Sequence, residues 1–257
     1  MLITLTTDFG SPYVGIMKGV IKSIFKDVEI IEISSDVPPF DIKSGAFVLY
    51  SSYKFFPKGT IHIAIVDPGV GSERKAIAIR TRNFYFIGPD NGILIPAAKE
   101  DGIMEIREIN IDRIPMPVEK PSSTFHGRDI FAPAAACLAK GIKFEEIGNI
   151  IDKYKNLEFF KIINGNIIEC EVIFIDRFGN LILSIGEKDI FIERGVELEF
   201  QGSKYYLKNV RTYYDVNRGE LIIVKGSSGF YEISIREGSA KDLLNAYVGS
   251  RIRMRVI

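Results

Sequence analysis

Tryptophan is absent from this chain, and cysteine and histidine occur only twice each. Cys137 and Cys170 stand far apart in sequence, without the spacing of a zinc site or a disulfide framework, and both read as buried thiols. An excess of charge of either sign is also missing. The 33 basic and 33 acidic residues cancel, and no long like-charge run supplies the electrostatic footprint of a nucleic-acid or anionic-lipid binder. No apolar run approaches the roughly 20 residues that span a bilayer. The opening run Leu2-Ile3-Thr4-Leu5-Thr6 is strand-like and has neither the basic nor the apolar region of a secretory signal. These absences lead to the expectation of a cytoplasmic protein whose partner is a small molecule, with no nucleic acid and no membrane involved.

What is present is a large apolar fraction, 46% of the residues, enough for one large domain or two smaller ones. Two rhythms divide it. Up to about residue 150, strand-like runs near 2–7, 28–33, 60–66 and 75–80 alternate with helical runs near 14–25 and 41–54. Such alternation predicts an α/β fold with a mainly parallel sheet flanked by helices. A further alanine-rich helix is expected from about Arg128 to Leu138, with Pro133 interrupting or kinking its early part. Beyond the polar segment 152–156 the helical pattern nearly vanishes. Short strands follow at Ile167–Ile175, Leu181–Ile185, Val196–Phe200, Leu221–Val224 and Phe230–Ile235, with glycine and asparagine turns between several of them. That pattern reads as an antiparallel barrel or sandwich. The chain is therefore divided into domains at 1–155 and 156–257.

Several polar turns fall where the strand-like runs stop. In open α/β sheets ligands bind beyond the carboxyl ends of the strands, so acid, base and glycine gathered there point to an enzyme. Asp8 in Thr7-Asp8-Phe9-Gly10 can accept hydrogen bonds from ribose hydroxyls; taken alone, it reads first as a helix cap or turn stabiliser. Between Asp67 and Arg74, the residues Pro68, Gly69 and Gly71 enforce a tight loop. The loop either brings carboxylate and guanidinium together in a site or forms a surface ion pair worth about 0–1 kcal/mol. His126 precedes a helix and can orient or deprotonate a water, whereas His62 alternates with Ile61 and Ile63 in a strand and reads as structural. Gly88-Pro89-Asp90-Asn91-Gly92 reads as an ordinary turn. In the second half, Phe178 in Asp176-Arg177-Phe178-Gly179-Asn180 offers an aromatic face to a base, or else is a buried hairpin phenylalanine. Gly226-Ser227-Ser228-Gly229 can present hydroxyls and amides to a carboxylate, although flexible turns share that composition.

Taken in order, Thr7-Asp8-Phe9-Gly10, Met17-Lys18-Gly19, Val37-Pro38-Pro39-Phe40-Asp41, Val66 to Arg74, Gly88 to Gly92, Phe125 to Asp129, Asp176 to Asn180 and Gly238-Ser239-Ala240 resemble the S-adenosylmethionine hydroxide adenosyltransferase family, the SAM hydrolases. That family is related to the fluorinases and chlorinases. The resemblance implies an N-terminal α/β domain, a C-terminal antiparallel β-barrel domain, and a homotrimer that binds substrate between subunits. It also implies hydrolysis of S-adenosyl-L-methionine to adenosine and L-methionine, without metal or organic cofactor.

On the same resemblance Asp67, Arg74 and His126 form the catalytic triad and Asp8 binds the ribose. Phe178 and Tyr213 flank adenine, Asn180 contacts it, and Asp176 and Ser227 hold the methionine ammonium and carboxylate. The chain departs from its relatives in the loop between Asp8 and Lys18, which is about two residues shorter than in many of them and lacks a second acid. Ser228 stands where the halogenating relatives carry arginine, Gly127 at their halide-binding serine, and Asp67 at a tyrosine. Halide use is thereby disfavoured. The alternatives are a halide-using enzyme on this scaffold and a non-catalytic sensor of S-adenosylmethionine or adenosine.

Overall fold

The computed structural model describes residues 1–115 and 120–257. They form two compact units, Met1–Glu158 and Phe159–Ile257, each with its own core.

The first unit runs β1 (Leu2–Thr7), α1 (Ser11–Ile24), β2 (Glu29–Ser34), α2 (Ile42–Ser52), β3 (Ile61–Ile65), β4 (Ala76–Thr81), β5 (Tyr85–Pro89), α3 (Ile95–Asp101), β6 (Ile103–Ile109), α4 (Ala132–Lys140) and β7 (Gly148–Ile150). The sheet order is β2-β1-β3-β5-β4-β6-β7. β2, β1, β3 and β5 are mutually parallel, as the alternation predicts. The predicted strand at 75–80, observed as β4, is antiparallel, as are the pairings that extend the sheet to β6 and β7. Only residues 82–84 separate β4 from β5, too few for the crossover that a parallel neighbour requires.

Ile3, Leu5, Ile61 and Ile63 are fully buried on alternate positions, and so are Thr4, Thr6, His62 and Ala64 between them, so β1 and β3 are buried on both faces although their apolar residues alternate with polar or small ones. Helix α1 buries Val14, Met17 and Ile21 along one stripe. It packs against α4, whose buried Ala132, Ala134, Ala135 and Ala136 permit close approach. Helix α4 does not begin with a kinked α-turn at Arg128. A π-helical turn, Gly127–Phe131, leads into it, and Pro133 sits in the first α-turn. Proline has no N–H to donate, so the first turn tolerates it, and the wider turn precedes it.

The second unit contains β8 (Lys161–Asn164), β9 (Ile167–Ile175), β10 (Leu181–Gly186), β11 (Gly195–Phe200), β12 (Ser203–Val210), β13 (Leu221–Lys225), β14 (Phe230–Ile235), α5 (Ala240–Leu244) and β15 (Arg251–Val256). Strands β10-β14-β13-β12-β11-β15-β9 close into a seven-stranded barrel through the β9–β10 pairing, and β8 lies along the first part of β9. Closure leaves the barrel strands without open edges. All pairings are antiparallel except β12–β13, whose connecting segment carries Tyr213. Among the described residues no helix is long and apolar enough to cross a membrane.

Candidate active site

β1 and β3 are adjacent and parallel, with Thr7 in register with Ile65. The residues that follow both strands therefore emerge at the same sheet edge, and the β2-β1-β3 order makes this the point where chain connections diverge. A pocket of about 280 Å³ opens there, lined by Asp8, Phe9, Phe40, Asp67, Phe125 and His126 among others.

Asp67 and Arg74 form a pair whose side chains are only 6% and 10% exposed, not a surface contact. Arg74 Nε donates to both carboxylate oxygens of Asp67, each at 3.0 Å, and Nη2 donates to Oδ2 as well. The loop between them is pinned at several points. Ser72 Oγ donates to the Gly69 carbonyl at 2.7 Å, and Asn91 Nδ2 donates to the Val66 carbonyl at 2.8 Å. Gly71 has φ of 79°, and a Cβ there would lie 2.3 Å from the Ser123 carbonyl oxygen, so only glycine fits. Asn91, read from sequence as part of an ordinary turn, thus anchors the strand end beside Asp67.

Arg74 Nη2 also donates to His126 Nδ1 at 2.8 Å. Because a guanidinium only donates, Nδ1 accepts and the imidazole proton resides on Nε2. Burial, reinforced by the Arg74 charge and partly opposed by Asp67 and Asp129, holds the His126 pKa below the ordinary imidazole value. The ring is therefore neutral near pH 7 and offers an N–H rather than a basic nitrogen. A second opening of about 460 Å³, lined by Glu73, Lys75, Asn110 and Asn149 among others, also reaches Arg74 and His126.

Asp8 does not cap α1, whose N-cap is Gly10 with no side-chain hydrogen bond. Its Oδ2 accepts instead from the Phe40 N–H at 2.9 Å, across 32 residues of sequence. His62 is structural as expected: fully buried, with Nδ1 2.7 Å from Thr4 Oγ1 and its pKa pushed down to about 3 by burial.

In the second unit, a pocket of about 980 Å³ is lined by Asp176, Phe178, Asn180, Tyr213, Tyr214 and Arg236 among others. Asp176 organises the β9–β10 turn. Its Oδ1 accepts from the Phe178 and Asn180 N–H groups, each at 2.9 Å, and its Oδ2 accepts from Asn180 Nδ2 at 2.8 Å. Phe178 is 77% exposed, which removes the buried-hairpin reading. Tyr213 donates its hydroxyl to the buried Glu232 at 2.8 Å. Burial, then this carboxylate, pushes the phenol up to about 12. The Arg236 guanidinium stacks 4.3 Å from the Tyr214 ring centre.

The structure thus groups Asp8, Asp67, Arg74 and His126 in one unit and Asp176, Phe178, Asn180 and Tyr213 in the other. Ser227 lies exposed in the β13–β14 turn and is not among the residues lining the barrel pocket. Sequence reasoning missed Asn91, Tyr214, Glu232 and Arg236. Of these only Asn91 stood in a motif already singled out; the others depend on partners brought near by folding.

Two family profiles match the chain. One, the SAM hydroxide adenosyltransferase N-terminal domain, covers residues 3–148; the other, the C-terminal domain of the same name, covers 170–253. A protein named (R)-S-adenosyl-L-methionine hydrolase from Methanocaldococcus jannaschii is 37% identical, covering 95% of this chain and 92% of the relative. One of the same name from Salinispora tropica is 34% identical, covering 98% and 97%. The crystal structure of an uncharacterized conserved protein from Thermotoga maritima superposes with a TM-score of 0.91 at 36% identity, covering 99% of this chain and all of that one.

Proposed function

Because the chain belongs to the SAM hydroxide adenosyltransferase family, we propose that it is an enzyme that hydrolyses S-adenosyl-L-methionine to adenosine and L-methionine. Water or hydroxide attacks the ribose 5′ carbon. The observation that carries this reading is the buried Asp67–Arg74–His126 array at the β1/β3 crevice.

An O–C5′ bond forms and the C5′–S bond breaks, its electron pair passing to sulfur and neutralising the sulfonium, while the attacking water releases one proton to bulk solvent. Methionine leaves as a neutral thioether, so the departure needs no general acid. The demand falls on the nucleophile. Both oxygens of Asp67 already accept from Arg74, so Asp67 orients the water and favours the sulfonium charge more than it deprotonates. His126, protonated on Nε2, donates a hydrogen bond to the developing hydroxide, and Arg74 stabilises it electrostatically. The negative carboxylate of Asp67 also repels an incoming halide anion.

Asp8 binds the ribose hydroxyls in this reading, Phe178 and Tyr213 flank adenine, and Asn180 contacts it. Asp176 takes the methionine ammonium. The common pocket of these barrel residues supports the assignment, whereas Ser227 as the carboxylate ligand rests on the resemblance alone. The same resemblance supports a homotrimer with sites between subunits, whereas a cytoplasmic location and domains at 1–155 and 156–257 rest on the sequence pattern. The reaction uses no metal and no organic cofactor.

The test is turnover by the purified protein. Adenosine and methionine should appear in equal amounts, unaffected by added chloride. Chloride-dependent formation of a 5′-halogenated nucleoside would favour the halide reading, and tight binding without product would favour a sensor.

A further inference from the structure

Asp129 is a fully buried charge to which the proposed mechanism gives no part. A buried carboxylate persists only where its oxygens are satisfied, and here they are satisfied by one short stretch of chain. Ser122 N–H donates to Oδ2 at 2.7 Å. Arg128 donates through Nε to Oδ1 at 2.6 Å and through Nη2 to Oδ2 at 2.9 Å. The backbone N–H of Asp129 donates to the Phe125 carbonyl at 3.2 Å. These bonds close the segment Ser122–Asp129 on itself, and the two residues of that segment whose rings line the pocket, Phe125 and His126, lie inside the closure.

The neighbouring contacts restrict the same two residues. The Arg128 guanidinium lies 5.4 Å from the Phe125 ring centre. Phe125 in turn meets Phe9 and Tyr13 edge-on at 5.8 and 5.3 Å. At Gly127 an added Cβ would come within 3.1 Å of Met17 Sδ, so the backbone on the far side of His126 is held against α1. The π-turn Gly127–Phe131 begins at this point, a distortion frequent at functional sites.

We propose that Asp129 is a positioning residue: by closing on Ser122 and Arg128 it fixes His126 where Nδ1 accepts from Arg74, and so leaves the Nε2–H as the donor. Asp129 acts through the backbone; its own oxygens bond to Ser122 and Arg128. The consequence for turnover rests on the hydrolase reading, while the effect on the imidazole does not.

The test is Asp129→Asn, which keeps the side-chain shape while removing the charge and replacing one acceptor by a donor. With only two histidines in the chain, ¹⁵N NMR reports the His126 tautomer directly, assigned against His126→Gln. Two results are expected together: the unprotonated Nδ1 signature gives way to mixed tautomers, and kcat falls by about tenfold or more with KM changed less than about twofold. An unchanged tautomer, an unchanged kcat, or a loss seen mainly in KM would overturn the proposal. Should the variant not fold, Ser122→Pro decides when set against Ser122→Ala, which loses only the hydroxyl bonded to Thr124, whereas Ser122→Pro loses the N–H donor to Asp129 as well. Relative to Ser122→Ala, Ser122→Pro should move the tautomer in the same direction and lower kcat by roughly threefold, and no change in either overturns the proposal. Wild-type protein that forms no adenosine would sink the hydrolase reading yet leave the NMR comparison intact.

Discussion

The two pockets are built on opposite principles. The N-terminal one surrounds a charged array that is almost wholly removed from water, with Asp67 and Arg74 side chains 6% and 10% exposed. Its geometry is fixed by hydrogen bonds from the surrounding loops. The barrel pocket instead presents open aromatic faces, with Phe178 77% and Tyr214 80% exposed. Charges held in a desolvated, preorganised site act strongly on developing charge and need no rearrangement during reaction, while exposed rings supply area and stacking for a flat ligand. The first arrangement suits chemistry and the second suits recognition, so substitutions in the two should separate turnover from binding.

The largest effect is expected at Asp67. Asp67→Asn should lower kcat by about 10²–10³-fold while substrate dissociation changes little. Equal losses in both would erase the distinction between the pockets. On the barrel side, Phe178→Ala should weaken adenosine binding by roughly 5- to 20-fold, the worth of one aromatic stacking contact, and leave kcat nearly unchanged. Calorimetry with adenosine, set beside turnover, measures both.

The N-terminal unit was legible in sequence where burial is two-sided, in β1 and β3, and the loop glycines pointed to Asp67 and Arg74 together. The sequence left open whether they form a surface pair or a site; burial excludes the surface pair. The reading of Asp8 as a cap was wrong because its partner, the Phe40 N–H, lies 32 residues away. Strands β9 and β14 were readable with their bounds, yet β12 and β15 were passed over. β15 alternates buried Ile252 and Met254 with exposed arginines, a pattern that sequence shows once charges are allowed on the outer face. The Tyr213–Glu232 and Arg236–Tyr214 contacts join different turns and strands, and no local spacing announces them.

Within the N-terminal unit the two histidines sharpen the same comparison. His62 is neutral in the folded protein down to about pH 3, whereas in the unfolded chain it takes up a proton below about 6.5. Protons therefore favour unfolding across that window. Stability should fall by up to about 1.4 kcal/mol per pH unit as pH drops from 6.5 toward 3. His62→Gln should flatten that slope in denaturant titrations, even if it lowers stability at neutral pH. His126 is expected to show the smallest effect at neutral pH. Because its folded pKa is held below the ordinary imidazole value, the acid limb of kcat/KM should have its midpoint below that value, as protonation of Nδ1 breaks its bond with Arg74. A midpoint above the ordinary imidazole value would contradict the neutral, donating imidazole.

The most direct test of the central claim is turnover of S-adenosyl-L-methionine in ¹⁸O-labelled water, with the products read by mass spectrometry. Attack of water at the 5′ carbon requires one ¹⁸O atom in adenosine and none in methionine. Unlabelled adenosine, label in the methionine, or no adenosine from protein that still binds the substrate would contradict it.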